Sequence, residues 1–217
     1  MHKCLAAFYS AHKDGQPEPS AEELQAVFSD TWDQGLDDEV PVLFTTRETP
    51  GKLKDTGVAI AAAFHEYAER PHQVVGVEEP FSIELTDERT GEVLPRFVGF
   101  LDAVVRDQDG TYAALEHKSG ARKWSPSRVG QDLQLSAYSL ALGYQGLGDD
   151  ARLRVQVLTK TKTPELQVLD VVRGERDHQD FLETASGVVA AIRANIAYPV
   201  RDWPCQSCPY ASRCVAG

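Results

Sequence analysis

Two strongly apolar runs, residues 97–106 and 111–118, meet across Asp107-Gln108-Asp109-Gly110. Asp-Gly between such runs signals a β-hairpin, because glycine accepts the positive φ that a tight turn demands. Each arm carries a carboxylate, Asp102 in the first and Glu116 in the second, seven residues to either side of Asp109. Pairing of the arms therefore brings them close. Successive strand side chains alternate faces, so Glu116 and Lys118 share one. Charges in otherwise apolar strands are costly unless something compensates them.

Two carboxylates side by side repel, and a divalent cation is the natural compensation; oxygen ligands suit Mg²⁺ or Mn²⁺. Such an ion polarises a phosphoryl oxygen and activates water for in-line attack. Lys118, two residues beyond a ligand, would orient the water or stabilise the charge that develops on the phosphate. A plainer reading competes. Glu-x-Lys is common on exposed strands, and the three groups could form a cross-strand salt bridge on a solvated face.

Upstream, residues 4–12 and 21–34 carry apolar side chains at helical spacing, Leu24, Val27 and Phe28 among them, with Pro17 and Pro19 between the two segments. A polar stretch over 47–54 precedes an alanine-rich helix over 58–70, stopped by Pro71. Strand patterning begins at Gln73, with runs at 74–77 and 81–85 and a turn at 87–91 before the hairpin. A helix over 128–142, a strand pair over 152–159 and 165–172, and a helix over 177–197 complete the pattern. The order predicts an α/β fold of mixed type, a central mixed sheet flanked by helices. At 217 residues the chain is expected to be one domain: a helical part over 1–72, a sheet core over 73–175, and a helix with a cysteine tail over 176–217.

With 42% hydrophobic and 25% charged residues, the composition is that of a globular protein. No apolar run approaches the roughly 18 to 20 residues that span a membrane. The start, Met1-His2-Lys3-Cys4, lacks signal-peptide organisation, so a reducing cytoplasm is expected. A net charge of −11 argues against a protein that coats polyanions through many Lys and Arg contacts. It leaves room for a nuclease, since a metal ion neutralises an acidic site and brings the phosphate to it.

The constellation resembles the PD-(D/E)XK nuclease superfamily, and within it the RecB-like branch, whose motifs read Gly-x-x-Asp, Asp/Glu-x-Lys and Gln-x-x-x-Tyr. Here they stand as Gly99-Phe100-Leu101-Asp102, Glu116-His117-Lys118 and Gln134-Leu135-Ser136-Ala137-Tyr138. The resemblance implies a restriction-endonuclease-like core in which Asp102 and Glu116 bind metal and the His117 carbonyl supplies a further ligand. Lys118 is then catalytic, and Gln134 and Tyr138 support the site or the DNA. Gln134 and Tyr138 are four apart and share a helical face, with Gln131 next to them. That face also holds Leu135 and Leu142, so two structural polar residues on a buried helix are the alternative. RecB-like nucleases often carry a metal-binding His about one turn after a Gly in the preceding helix. After Gly57 that position is Ala61, and His65 comes one turn later. It is either the ligand in a shifted register or an ordinary exposed residue beside Glu66. Glu78 or Glu79 would offer another carboxylate, or simply face solvent.

Cys205-x-x-Cys208-x₅-Cys214 crowds the last thirteen residues, and Cys4 is the only other cysteine. In a reducing compartment such spacing points to metal or redox chemistry before disulfides. It resembles the AddB-type and CRISPR-associated adaptation nucleases of the same branch, which hold a [4Fe–4S] cluster with one Cys before the core and three after it. All-cysteine ligation suits Zn²⁺ as well. The resemblance implies a DNA nuclease, an exonuclease acting on ends or single strands by metal-activated water, with roles in DNA repair or recombination. The partners it implies are DNA and a helicase, recombination, phage or CRISPR-adaptation protein. Two other readings stand beside it: a non-catalytic DNA-end-binding module that retains the fold, and a zinc-stabilised scaffold with surface salt bridges. Lys160 and Lys162, on a strand end, would contact a DNA backbone or only solvent.

Overall fold

The computed structural model describes residues 1–37, 42, 44, 48–87, 89–147, 151–196, 198, 202, 205 and 208–215. Three helices open the chain: α1 (His2–Lys13), α2 (Ala21–Asp37) and α3 (Pro50–Tyr67). The start of α2 is a reciprocal cap, in which Ser20 Oγ accepts from the Glu23 N–H at 3.2 Å and Glu23 Oε2 accepts from the Ser20 N–H at 2.7 Å. Helix α3 begins eight residues before the alanine-rich run. Thr49 caps it by accepting from Lys52 N–H, and Pro50 sits where no donor is needed. A Cβ on Gly57 would lie 1.9 Å from the Phe28 ring, so α2 and α3 pack closely there because that residue has no side chain.

Strand β1 (Gln73–Ile83) is followed by a small hairpin, β2 (Thr86–Asp87) with β3 (Glu92–Val93), and then by β4 (Phe97–Arg106) and β5 (Tyr112–Gly120). Two helices, α4 (Pro126–Gly130) and α5 (Leu133–Tyr144), cross to β6 (Arg152–Thr159), which turns back as β7 (Leu166–Val171). Helices α6 (Glu175–Arg193) and α7 (Ala211–Val215) complete the described chain. The sheet runs β1-β4-β5-β6-β7, antiparallel except for the parallel β5–β6 pair. The expected mixed sheet flanked by helices is what forms. Leu24, Phe8 and Phe64 of α1–α3 cover one face together with Ala103 and Leu115. Leu135, Leu142 and Phe181 of α5 and α6 cover the other with Val104 and Val155. Among the described residues no helix is long and apolar enough to cross a membrane.

The helix expected over 128–142 is two helices. Asp132 breaks it by turning its carboxylate onto the Gln134 N–H at 2.9 Å, which starts α5 afresh. Gln131 thereby becomes the exposed cap of α4 and leaves the face that carries Gln134 and Tyr138.

Candidate active site

The hairpin turn is built as its residues suggest. Gly110 takes φ +86°, and Asp109 Oδ1 accepts from the Thr111 N–H at 2.9 Å. Arg152 and Arg154 of β6 pin the turn through Asp107 and Asp109. The register runs Arg106–Tyr112, Val105–Ala113, Val104–Ala114 and Ala103–Leu115, and there the ladder stops. The next pair would be Asp102 with Glu116. Instead Asp102 Oδ2 accepts from the His117 backbone N–H at 2.8 Å, so a side chain stands where a strand carbonyl would, and the strands part.

Strand β4 also changes face here, for Leu101 packs with α5 while Ala103 packs under α1–α3. Alternation alone would put two residues spaced by two on one side. The adjoining strand bends at the same level. Glu78, between the Val77–Ala103 and Glu79–Leu101 pairs, has φ +47°, a left-handed conformation that costs a non-glycine residue about 1–2 kcal/mol. Gly99, the first residue of Gly-x-x-Asp, has a packing reason: a Cβ there would meet the Phe81 ring at 2.6 Å.

Glu116 is 2% exposed. One of its oxygens is in contact with Lys118 Nζ, and Oε2 has no hydrogen-bond partner. Burial, and then the negative charge of Asp102, raise its pKa, with Lys118 opposing. Burial would also raise Asp102, but hydrogen bonds from His117 and His2 win and hold it well below the usual carboxylate range. Lys118 Nζ also donates to Gln134 Oε1 at 2.6 Å, Gln134 Nε2 donates to Tyr138 Oη at 2.8 Å, and Tyr138 donates to the Phe100 carbonyl at 2.8 Å. Each donor in this relay fixes the next. Phe100 lies opposite Pro80, which has no N–H, and β5 has already parted, so the tyrosine satisfies a carbonyl that no strand can.

The structure thus brings Asp102, Glu116, Lys118, Gln134 and Tyr138 to the place where the hairpin splays. The imidazole of His117 points to the opposite face, against Tyr9 and Phe64, with Nδ1 3.2 Å from Asp102 Oδ2 and Nε2 buried without a partner. His65 lies elsewhere. Its Nε2 is 3.3 Å from Glu18 Oε1, in an ion-pair group with Arg70, so it is not among the residues gathered at Asp102. The imidazole that does reach the site belongs to His2, whose Nδ1 donates to Asp102 Oδ1 at 3.1 Å. His2, Glu78 and Asp102 offer ligand atoms within 4.8 Å of one another. No motif signals His2, a hundred residues from its partner; the signal for Glu78 was only its acidity. Glu79 folds back over Gly76 of its own strand.

This donor set fits a small divalent cation: hard carboxylate oxygens, an imidazole nitrogen and a buried carboxylate oxygen lacking any partner. Cys4 is buried, its thiol donates to the Leu24 carbonyl at 3.3 Å, and burial pushes its pKa up to about 11. Cys205 and Cys214 are exposed and Cys208 half-buried; among the described residues no three sulfurs come within 4.8 Å of one another.

No curated protein matches the chain. Among solved structures, a candidate exonuclease from Eubacterium rectale is 17% identical, with a TM-score of 0.50 over 100% of this chain and 85% of that one. A second, SSO0001, is 12% identical over 87% of this chain and 94% of that one, with a TM-score of 0.46. At such identity the first likeness speaks for the fold alone. The sequence itself goes further, for the family model of the PD-(D/E)XK nuclease superfamily matches residues 1–215. With that match over nearly its whole length, this chain belongs to the PD-(D/E)XK nuclease superfamily.

Proposed function

We propose that the chain is a Mg²⁺- or Mn²⁺-dependent deoxyribonuclease of the RecB-like branch, working as an exonuclease from DNA ends. One observation carries the metal dependence: Glu116 keeps a buried carboxylate oxygen with no partner, beside a second carboxylate, in the cleft where the hairpin splays. Lys118 meets one oxygen of Glu116, but the second carboxylate of Asp102 adds negative charge and the other buried oxygen is left without a hydrogen bond, a cost that a cation would relieve. Asp102, Glu116 and the His117 carbonyl would hold the ion, with His2 and Glu78 offering further ligand atoms near Asp102. Bound there, a divalent cation supplies Lewis-acid polarisation of the phosphate and lowers the pKa of water.

The chain's own residues do the rest. Lys118, held by Glu116 and Gln134, places its ammonium against the charge that develops on the phosphate oxygens. Gln134 and Tyr138 keep that ammonium in position, since each spends its hydrogen-bonding groups on the next member of the relay. Asp102 stays ionised because His117 and His2 donate to it.

The four cysteines hold a [4Fe–4S] cluster in this proposal, supported by an all-thiol donor set with the Cys-x₂-Cys-x₅-Cys spacing; Zn²⁺ is the alternative occupant. Residues 1–217 then form one cytoplasmic nuclease domain that serves a helicase, recombination, phage or CRISPR-adaptation partner. The test is direct. Linear DNA incubated with Mn²⁺ is expected to be degraded by the wild type and, at a rate at least 100-fold lower, by Lys118→Ala, the scale of loss for one charge-stabilising donor. Equal rates, or loss of DNA that chelation does not stop, would overturn the reading.

A further inference from the structure

Between Glu116 and Lys118, His117 turns its imidazole to the other face of the sheet. The side chain is 3% exposed, and its ring centroid lies 5.4 Å from that of Tyr9 and 6.1 Å from that of Phe64. A phenyl ring would fill such a pocket at no polar cost. An imidazole brings two nitrogens that need partners, and Nε2 is buried with none. Among the described residues, the hydrogen-bond partner of the ring is Asp102, whose Oδ2 lies 3.2 Å from Nδ1. A ring nitrogen that meets an ionised carboxylate carries the proton, so Nδ1 donates and Nε2 keeps a bare lone pair.

We propose that the His117 imidazole is a positioning residue for the metal site: it locks Asp102 so that Oδ2 is held on the buried side and Oδ1 is left to face an incoming cation. This rests on the nuclease reading above. Both hydrogen bonds from His117 go to one oxygen, the backbone N–H reaching Oδ2 at 2.8 Å and the ring at 3.2 Å. The last torsion of an aspartate is broad when unconstrained, and two donors on one oxygen restrict it more than one does.

The two oxygens also differ in their surroundings. Oδ2 faces the buried imidazole, whereas Oδ1 meets His2, whose side chain is 55% exposed. A cation entering from solvent comes to that open side, where Glu78 also stands. The ring further braces two proposed ligands from different strands, the carbonyl of its own residue and the carboxylate of Asp102. Strands β4 and β5 pair only as far as Ala103–Leu115, so the ladder itself no longer sets the spacing of those ligands. Outer hydrogen bonds of this kind orient metal-binding carboxylates, and losing one costs about 10- to 100-fold in metal affinity.

The competing account is that the ring merely fills space beneath the sheet. Two substitutions separate the accounts, because they set packing against hydrogen bonding. His117→Phe keeps the aromatic contacts and loses the donor. His117→Asn loses ring volume and keeps an N–H donor near the position of Nδ1. Mn²⁺ binding is measured without DNA, from the loss of the free-ion EPR signal, and Tm from thermal unfolding of the metal-free protein. His117→Phe is expected to melt higher than His117→Asn and to bind Mn²⁺ about 10- to 100-fold more weakly than wild type. His117→Asn is expected to bind it within about fivefold of wild type, so that the orders of Tm and of affinity are opposite. The wild type supplies a further check. Long-range nitrogen–proton correlation spectra of the metal-free protein should show the His117 proton on Nδ1, the signal being assigned by its absence from His117→Asn. A ring protonated at Nε2 alone would overturn the proposal. So would a His117→Phe protein that binds Mn²⁺ as tightly as wild type, or affinities that follow Tm in both variants. Failure of the nuclease reading shows separately, as wild-type protein that takes up no Mn²⁺ and leaves DNA intact, which removes the metal site and this role with it.

Discussion

Glu116 is a destabilising residue in the metal-free protein. Its folded pKa is raised, by burial first and by Asp102 second, so its ionisation opposes folding: the stability present below the unfolded pKa is lost as pH rises through the folded one. Asp102 has the opposite sign. Its folded pKa is depressed, so it stabilises above the unfolded pKa and the benefit goes only as pH falls through the folded one. Between those two limits, mild acidification should stabilise the metal-free protein through Glu116 while Asp102 remains charged. Glu116→Gln should therefore melt higher than wild type at pH 7 without metal, by about 2–4 °C for each kcal/mol relieved, with the gap closing in mild acid. Adding Mn²⁺ should reverse the order, raising the wild-type Tm and scarcely moving that of Glu116→Gln. His2→Gln in the same assay should keep the metal-free Tm near wild type and need about 10- to 100-fold more Mn²⁺ for the same rise. A Glu116→Gln protein that melts below wild type without metal would mean the carboxylate is held by groups other than a cation.

At the scale of elements, the site depends on a helix start that Asp132 caps locally and a distant residue holds in place. Arg173, just past β7 and 7% exposed, donates to the carbonyls of Val129, Gly130 and Asp132 at 2.7, 2.9 and 3.0 Å. It thereby holds the α4–α5 junction and, through it, the first turn of α5, where Gln134 meets Lys118. Removing it leaves three carbonyls without their charged donor. Arg173→Ala is expected to cost about 2–4 kcal/mol, a fall of roughly 5–15 °C in Tm, measured by thermal or urea unfolding. A loss below about 1 kcal/mol would mean that water replaces the guanidinium. This contact also explains why residues 128–142 read as one helix in the sequence. Their apolar spacing is continuous, while the residue that helps break them lies more than forty positions downstream. The hairpin was legible for the converse reason. Its register is set by a local turn, so counting from Asp109 gives the observed register up to Ala103–Leu115, one step short of Asp102 and Glu116. Gln134 and Tyr138 were legible as a helical pair, though their role in positioning Lys118 depends on β4 and β5 parting. His2 and the left-handed Glu78 were not, since both follow from how α1 and β1 lie on the finished sheet.

Over the whole molecule, the ends of the sequence matter more than their length suggests. Helix α1 does two jobs: Phe8 and Tyr9 fill the core beneath the sheet, Tyr9 reaching Gln156 at 3.2 Å, while His2 touches Asp102 from the helix start. Whatever fixes α1 therefore also fixes one side of the metal site. Cys4 lies two residues beyond His2 and is buried against α2, so a cluster drawing on Cys4 and the three tail cysteines would tie that part of the chain to the helix that carries His2. Closing a loop of about 200 residues restricts the unfolded chain by up to about 5 kcal/mol in the chain-entropy account. Cys205→Ala, prepared anaerobically beside wild type, is expected to lose the broad visible absorbance of an iron–sulfur centre and to melt at least 5 °C lower. Because α1 is loosened, it should also need more Mn²⁺ for a given rate of DNA cleavage, with Lys118 chemistry otherwise intact. Colourless wild-type protein carrying one equivalent of zinc would assign the thiols to Zn²⁺ and leave the tether in place. A variant with unchanged absorbance, Tm and Mn²⁺ requirement would remove the tether altogether, and α1 would then be held by the packing of Leu5, Phe8 and Tyr9 and by the hydrogen bonds of His2, Cys4 and Tyr9.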